Sequence, residues 1–263
     1  MIRGVAQLRT GVSVPYYRAG EAGGLPIVLL HGWGESARAF DRLLPELPAD
    51  HPVFAFDQRG HGGAGEPARG YGLDDAALDV IAFLDAMAIR SAVLLGSSSG
   101  GYVAQQTAVL HPHRVSGLIL VGAPLSLHGR APFADEVEAL ADPVSPEWAQ
   151  RTLELFPVVS PVPSWYLADR ENDARGMTAR SWQRTLTALT SARPPTVTGQ
   201  IRCPTLILRG EGDDLVPAQD HEALAAAIPG ARLVVYKRTG HLVLWERPEQ
   251  CGADISQFLR SVA

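Results

Sequence analysis

The sequence predicts an α/β fold: a mostly parallel, eight-stranded sheet with helices on both faces. Short apolar runs end in glycine-rich turns, and segments of helical length separate them. Runs of that kind suit strands buried on both faces, as in parallel sheets covered by their crossover helices. The pattern halts in the middle of the chain and then resumes.

In order, strands are expected near Ile2 to Leu8, Val12 to Arg18, Ile27 to Leu30, Val53 to Phe56, Ala92 to Leu95 and Gly117 to Val121. Helices are expected near Ala37 to Leu44, Leu73 to Met87 and Gly101 to Leu110. After the interruption come strands at Pro204 to Gly210 and Ala231 to Tyr236, with helices at Gln219 to Ile228 and Pro248 to Ser261.

The most informative stretch is Gly96-Ser97-Ser98-Ser99-Gly100-Gly101, between the apolar run Ala92-Val93-Leu94-Leu95 and a helix-compatible segment. Its G-x-S-x-G spacing centres on Ser98, where small neighbours permit a sharp corner that exposes the serine oxygen above a sheet edge. Ser97 and Ser99 lack glycines on both sides at that spacing. A serine hydroxyl needs a base to take its proton. Acids follow the strand at Pro204 to Gly210, in Glu211-Gly212-Asp213-Asp214, and a histidine follows the last strand in Thr239-Gly240-His241. The chain order Ser98, acid, His241 suits a triad mounted on such a sheet.

Together with Leu29-Leu30-His31-Gly32-Trp33-Gly34, Asp57-Gln58-Arg59-Gly60-His61-Gly62 and Val216-Pro217, these motifs resemble the α/β-hydrolase superfamily over nearly the whole chain. The likeness is to its small esterase, lactonase and cofactor-free perhydrolase-like members with a helical cap. It implies Ser98 as nucleophile, Asp213 rather than Asp214 as the acid, and His241 as the base. It also implies an oxyanion hole made by the backbone amides of Trp33 and Ser99, with the Trp33 side chain left free to line a pocket. His31 and His61 are expected to structure loops. Gly63-Ala64 stands where many relatives have a serine.

Proline-rich residues 125–199, with helix-like pieces at Trp148 to Phe156 and Thr178 to Ser191, would form the cap, and 1–124 with 200–263 the core. Three of the five tryptophans lie in the cap. Trp33, Trp148, Trp165, Tyr166 and Leu242 are the candidate pocket residues, and an apolar pocket would accept a hydrophobic acyl, aryl or ring group. Arg170, Arg175, Arg180 and Arg184 alternate with polar residues as on a solvated helix face.

A length of 263 residues and 46% hydrophobic content suffice for one sizeable core. A net charge of −5 offers no footprint for nucleic acid or an anionic membrane. The histidines show no metal-ligand spacing, and no cofactor is implied. His111 and His113 flank Pro112 at a helix end, while His51, His128 and His221 have no evident partner in sequence. No signal-peptide-like stretch and no run of about 20 apolar residues occurs, so the expected setting is cytoplasmic. Cys203 and Cys251 then read as reduced structural thiols.

The resulting expectation is a serine hydrolase of small esters or lactones, working as a monomer or homodimer without a nucleic-acid or membrane partner. Serine at the elbow argues against the aspartate chemistry of dehalogenase and epoxide-hydrolase relatives. Peracid formation, carbon–carbon cleavage, and thioester or amide hydrolysis use the same triad. A small-ligand sensor built on this fold is the non-enzymatic alternative.

Overall fold

The computed structural model describes residues 1–129, 131–156 and 158–262. Its strands are β1 (Ile2–Gln7), β2 (Ser13–Ala19), β3 (Ile27–Leu30), β4 (Val53–Phe56), β5 (Ala92–Ser97), β6 (Val115–Val121), β7 (Thr205–Gly210) and β8 (Arg232–Tyr236). They form one eight-stranded sheet in the order β1-β2-β4-β3-β5-β6-β7-β8. From β4 to β8 every neighbouring pair is parallel. The exceptions are β1, which pairs antiparallel with β2, and β2, which also pairs antiparallel with β4.

The core α-helices are α1 (Leu73–Ala86), α2 (Ser99–Leu110), and, numbered after the five that lie between β6 and β7, α8 (Ala218–Ala227), α9 (Val243–Glu246) and α10 (Pro248–Val262). Successive side chains of a strand face opposite sides. Val28 and Leu30 of β3 therefore join a cluster with Val80 and Phe83 of α1, Tyr102 of α2 and Leu224 of α8. Ile27 and Leu29 join another with Phe40, Ile255, Phe258 and Leu259. With both faces covered, the strand has no solvent side to carry polar residues, which is why its sequence is uninterruptedly apolar.

Ala37 to Leu44, expected as one helix, is instead a 3-10 turn at Ala37–Phe40 followed by a second at Leu44–Glu46. The Ala37 amide donates to Asp57 Oδ1 (2.8 Å) and the Arg38 amide to Ser36 Oγ (3.3 Å). Pro45, having no N–H, cannot continue an α-helical ladder.

Between β6 and β7 lie α3 (Ala134–Glu138), α4 (Pro146–Leu155), α5 (Ser164–Gly176), α6 (Ala179–Ser191) and α7 (Pro195–Thr198). Trp148, Trp182, Val137 and Met177 from this stretch form a third apolar cluster, which takes in Trp33 of the core.

Chain order reverses at β3: the next strand, β4, lies on one side of it and β5 on the other. Such a switch point opens a crevice at the carboxyl ends of the strands, where open α/β sheets bind ligands. The segments that follow β3, β5, β7 and β8 meet there, carrying Trp33, Ser98, Asp213 and His241.

The backbone under Ser98 leaves no room for side chains. A methyl group on Gly100 would sit 2.2 Å from the Leu30 carbonyl oxygen, and one on Gly96 would sit 2.4 Å from that of Gly100. Relief requires the backbone itself to shift. Gly100→Ala is therefore expected to destabilise the fold by about 3 kcal/mol, at the upper end of overpacking costs, read from the urea midpoint. An unchanged midpoint would contradict this packing.

Candidate active site

Ser98 occupies the corner between β5 and α2 with φ 50° and ψ −124°. A non-glycine residue in this region is strained, and strain persists only where surrounding structure holds it. Here the Ser98 amide donates to Val121 O of the adjacent strand (2.8 Å), and the Ser98 carbonyl accepts from Gly101 N (2.9 Å). The close approach of Gly100 to the end of β3 does the rest, leaving Oγ at the floor of the crevice.

His241 Nε2 lies 3.0 Å from Ser98 Oγ, and His241 Nδ1 lies 2.8 Å from Asp213 Oδ2. The other carboxylate oxygen, Oδ1, accepts the amides of Leu215 and Val216, each at 3.0 Å. Burial alone would raise the Asp213 pKa, but the hydrogen bond and charge of His241, with the Val216 amide, outweigh it and hold the carboxyl below its usual range. An ionised Asp213 keeps the proton on Nδ1, which turns the Nε2 lone pair toward the serine. Asp214, next in sequence, is exposed.

Ser99 opens α2, so its amide is one of the first-turn donors without an intrahelical acceptor. The Trp33 loop is held from two sides. Gly32 N donates to Glu35 Oε2 (2.8 Å), and Trp33 Nε1 donates to Thr185 Oγ1 of α6 (2.9 Å). The indole stacks on Phe133 (5.3 Å) and meets Trp182 edge-on (4.5 Å).

Glu35 also forms a buried ion pair with Arg170 of α5, and Tyr166 OH is 3.5 Å from the same oxygen. Arg170 is only 4% exposed, so the expectation of a solvated arginine face fails for it: its partner is 135 residues away. Ser36 Oγ donates to Asp173 Oδ2 (2.8 Å) and Arg38 Nη1 to Asp169 Oδ1 (2.8 Å), adding two more links from α5 to the loop after β3. His31 accepts the Gln58 amide at Nε2 (2.9 Å), and its Nδ1 contacts Gly32 O (2.8 Å), tying the loops after β3 and β4 together. Burial lowers the His31 pKa, and it depresses that of His61 to about 3, so both rings stay neutral.

A cavity of about 290 Å³ opens on Ser98. Trp33, Leu127, Phe133, Phe156, Leu186 and Leu189 give it apolar walls, and His128 and Asp220 are polar lining residues. Of the five side chains expected to line a pocket, only Trp33 does so. Trp148 turns its ring onto Trp182 (5.4 Å) within the third apolar cluster. Tyr166 stacks on Trp245 (3.3 Å), Trp165 packs edge-to-face with Trp245 (5.4 Å) and is 50% exposed, and Leu242 packs into the second apolar cluster. Phe156, which does line the cavity, stacks on His241 at 5.7 Å. Among the described residues, no group of three or more His, Cys, Asp or Glu side chains is placed to hold a metal. Among the same residues, no helix is long and apolar enough to cross a membrane.

Residues 25–248 match the family model described as serine aminopeptidase, S33. The chain belongs to the α/β-hydrolase superfamily. It is accordingly a hydrolase-class enzyme. This α/β-hydrolase is 28% identical to a non-heme chloroperoxidase of Streptomyces lividans, over 98% of this chain and 100% of the other. It is 30% identical to a pimeloyl-[acyl-carrier protein] methyl ester esterase of Aromatoleum aromaticum, over 89% and 98%. An esterase from Exiguobacterium antarcticum superposes with a TM-score of 0.84 at 25% identity, covering 98% and 100%.

Two expectations follow for this α/β-hydrolase. Arg170→Met leaves Glu35 buried without its counter-charge and should cost about 3–5 kcal/mol in urea unfolding, whereas the double change with Glu35→Gln should cost less than Arg170→Met alone. A double-variant loss equal to the sum of the two single losses would show the pair to be uncoupled. The second concerns pH. Burial raises the Asp173 pKa to about 6, the Ser36 hydrogen bond opposing and the Glu35 charge assisting. The folded state then holds this proton more tightly than the unfolded chain. Its stabilising contribution is fully present below about pH 4 and is lost as pH rises through about 6. Asp173→Asn removes that loss, so its melting temperature relative to wild type should climb between pH 4 and 7; a constant difference would refute the assignment.

Proposed function

We propose that this α/β-hydrolase is a serine carboxylic-ester hydrolase acting on small to medium hydrophobic esters or lactones. The observation that carries the reading is the continuous chain from Ser98 Oγ through His241 to the buried, ionised Asp213. His241 takes the Ser98 proton as Oγ attacks the ester carbonyl, and the amides of Trp33 and Ser99 receive the oxyanion. Collapse of the tetrahedral intermediate releases the alcohol, protonated by His241, and leaves an acyl-Ser98. Water deprotonated by His241 then attacks that acyl group and frees the acid. Asp213 keeps the imidazole in the productive tautomer throughout.

In this reading residues 125–199 are a cap over the core made by 1–124 and 200–263. An apolar cavity of 150 Å³ admits benzene, so about 290 Å³ admits roughly two rings or a comparable alkyl chain. The relative named as a methyl ester esterase supports ester cleavage. The relative named as a chloroperoxidase supports a second reading, in which peroxide replaces water as the attacking group on the acyl-enzyme. The only partner proposed is the small-molecule substrate, with no nucleic acid or membrane, and the working unit is a monomer or homodimer. Cys203 and Cys251 are both free thiols, which fits a reducing compartment such as the cytoplasm.

The test is hydrolysis of p-nitrophenyl esters of increasing acyl length and of a lactone series. Ser98→Ala and His241→Ala should each lose at least about a thousandfold in kcat/KM, and Asp213→Asn should lose far more than Asp214→Asn. Undiminished activity in Ser98→Ala would sink the proposal.

A further inference from the structure

Asp213 orients the His241 ring at one nitrogen, but a ring held at one atom still moves with its backbone. That backbone is anchored by a residue outside the triad. Glu246 ends α9, five residues beyond the histidine, and its side chain is buried, with the residue only 5% exposed. Its Oε1 accepts the Gly240 amide, immediately before His241, at 2.9 Å. Its Oε2 accepts the amides of Val159 (3.2 Å) and Ser160 (2.6 Å), which belong to the segment between α4 and α5. One carboxylate thus gathers three N–H groups from two parts of the chain. Charge-assisted bonds of this kind are the stronger ones.

The second partner of the clasp also reaches the site. Three residues before Val159 stands Phe156, whose ring stacks on His241 and forms part of the cavity wall. Val159 lies against Gly212, next to the triad acid: a methyl group on Gly212 would meet the Val159 side chain at 3.4 Å. Arg247 adds a parallel tie, donating to Ser160 Oγ (2.7 Å) and Arg238 O (2.9 Å).

We propose that Glu246 is a positioning residue for His241, tying the histidine's loop to the segment that covers its ring. The cover and the base then move as one body, and His241 keeps its 3.0 Å approach to Ser98 when substrate enters. The inference rests on the serine-hydrolase reading. Glu246→Gln tests it with little change of shape: an amide accepts only through its oxygen, so its NH₂ must face N–H donors on one side and one anchor is lost.

The readout is the second-order rate of Ser98 labelling by a fluorophosphonate, per folded enzyme, alongside kcat and KM on the preferred ester. Misplacement by about an ångström costs up to about a hundredfold. Labelling rate and kcat should therefore fall together by about 10- to 100-fold in Glu246→Gln, with KM within about threefold. Ser160→Pro, which deletes the shortest of the three donors, should slow labelling as well, and by clearly more than Ser160→Ala, which keeps that N–H and loses only the hydroxyl's contacts with Arg247 and Arg238. This pair decides the matter if Glu246→Gln fails to fold. Wild-type labelling in Glu246→Gln, or equal rates in Ser160→Pro and Ser160→Ala, would overturn the role of Glu246 and leave the triad standing. Failure of the wild-type enzyme to label at Ser98 would overturn the hydrolase reading and this inference with it.

Discussion

The corner at Ser98 is the constraint around which the rest of the molecule is arranged. Its left-handed backbone conformation is unfavourable for serine, and it is held by strand pairing on one side and by direct backbone contact with the end of β3 on the other. That contact sets how far α2 can sit from the sheet. It brings the loop carrying Trp33 beside the serine, and it demands glycine at positions 96 and 100. Rigid placement of this kind lets a hydroxyl be aimed before any substrate arrives, which is where most of the advantage of a preorganised site comes from.

Around this corner, three buried carboxylates do related work in different places. Asp213 collects two amides and the imidazole, Glu35 collects the Gly32 amide and the Arg170 guanidinium, and Glu246 collects three amides. Burying a charge is costly unless its lone pairs are filled. Each of these anions therefore fixes the loops that supply its donors. Two of the three, Glu35 and Glu246, take donors from both the sheet loops and the stretch between β6 and β7. The aromatic cluster around Trp33 fastens the same two parts by apolar contact. The helices between β6 and β7 are thus secured at both the Trp33 loop and the His241 loop.

Much of the site was legible in the chain because its signals are local. The corner needs small residues two positions either side of Ser98, and Asp213 and His241 each follow a strand and a glycine-containing turn. Position in sequence is then nearly position in space, since parallel strands deliver their carboxyl ends to one edge. Arg170 was misread for the opposite reason: polar neighbours along a helix resemble a solvated face, and nothing nearby announces a buried anion. The aromatic residues misled similarly. Trp148, Trp165 and Tyr166 carry the composition of a pocket wall, yet their rings are taken up by Trp182 and Trp245. Phe156, which does line the cavity, is no more conspicuous in sequence than they are.

By itself the sequence determined the alternation of buried strands and helices, the sharp turn at Ser98, and the order in which the serine, aspartate and histidine of the candidate site are met. These depend on propensity, periodicity and backbone freedom, which are properties of neighbours along the chain. Only the tertiary structure decided which arginine balances Glu35, which amides fill Glu246, and which rings face the cavity. Those outcomes depend on which groups remain unpaired once the elements pack, and the partners lie 135 residues apart for Glu35 and Arg170, and 86 for Glu246 and Ser160.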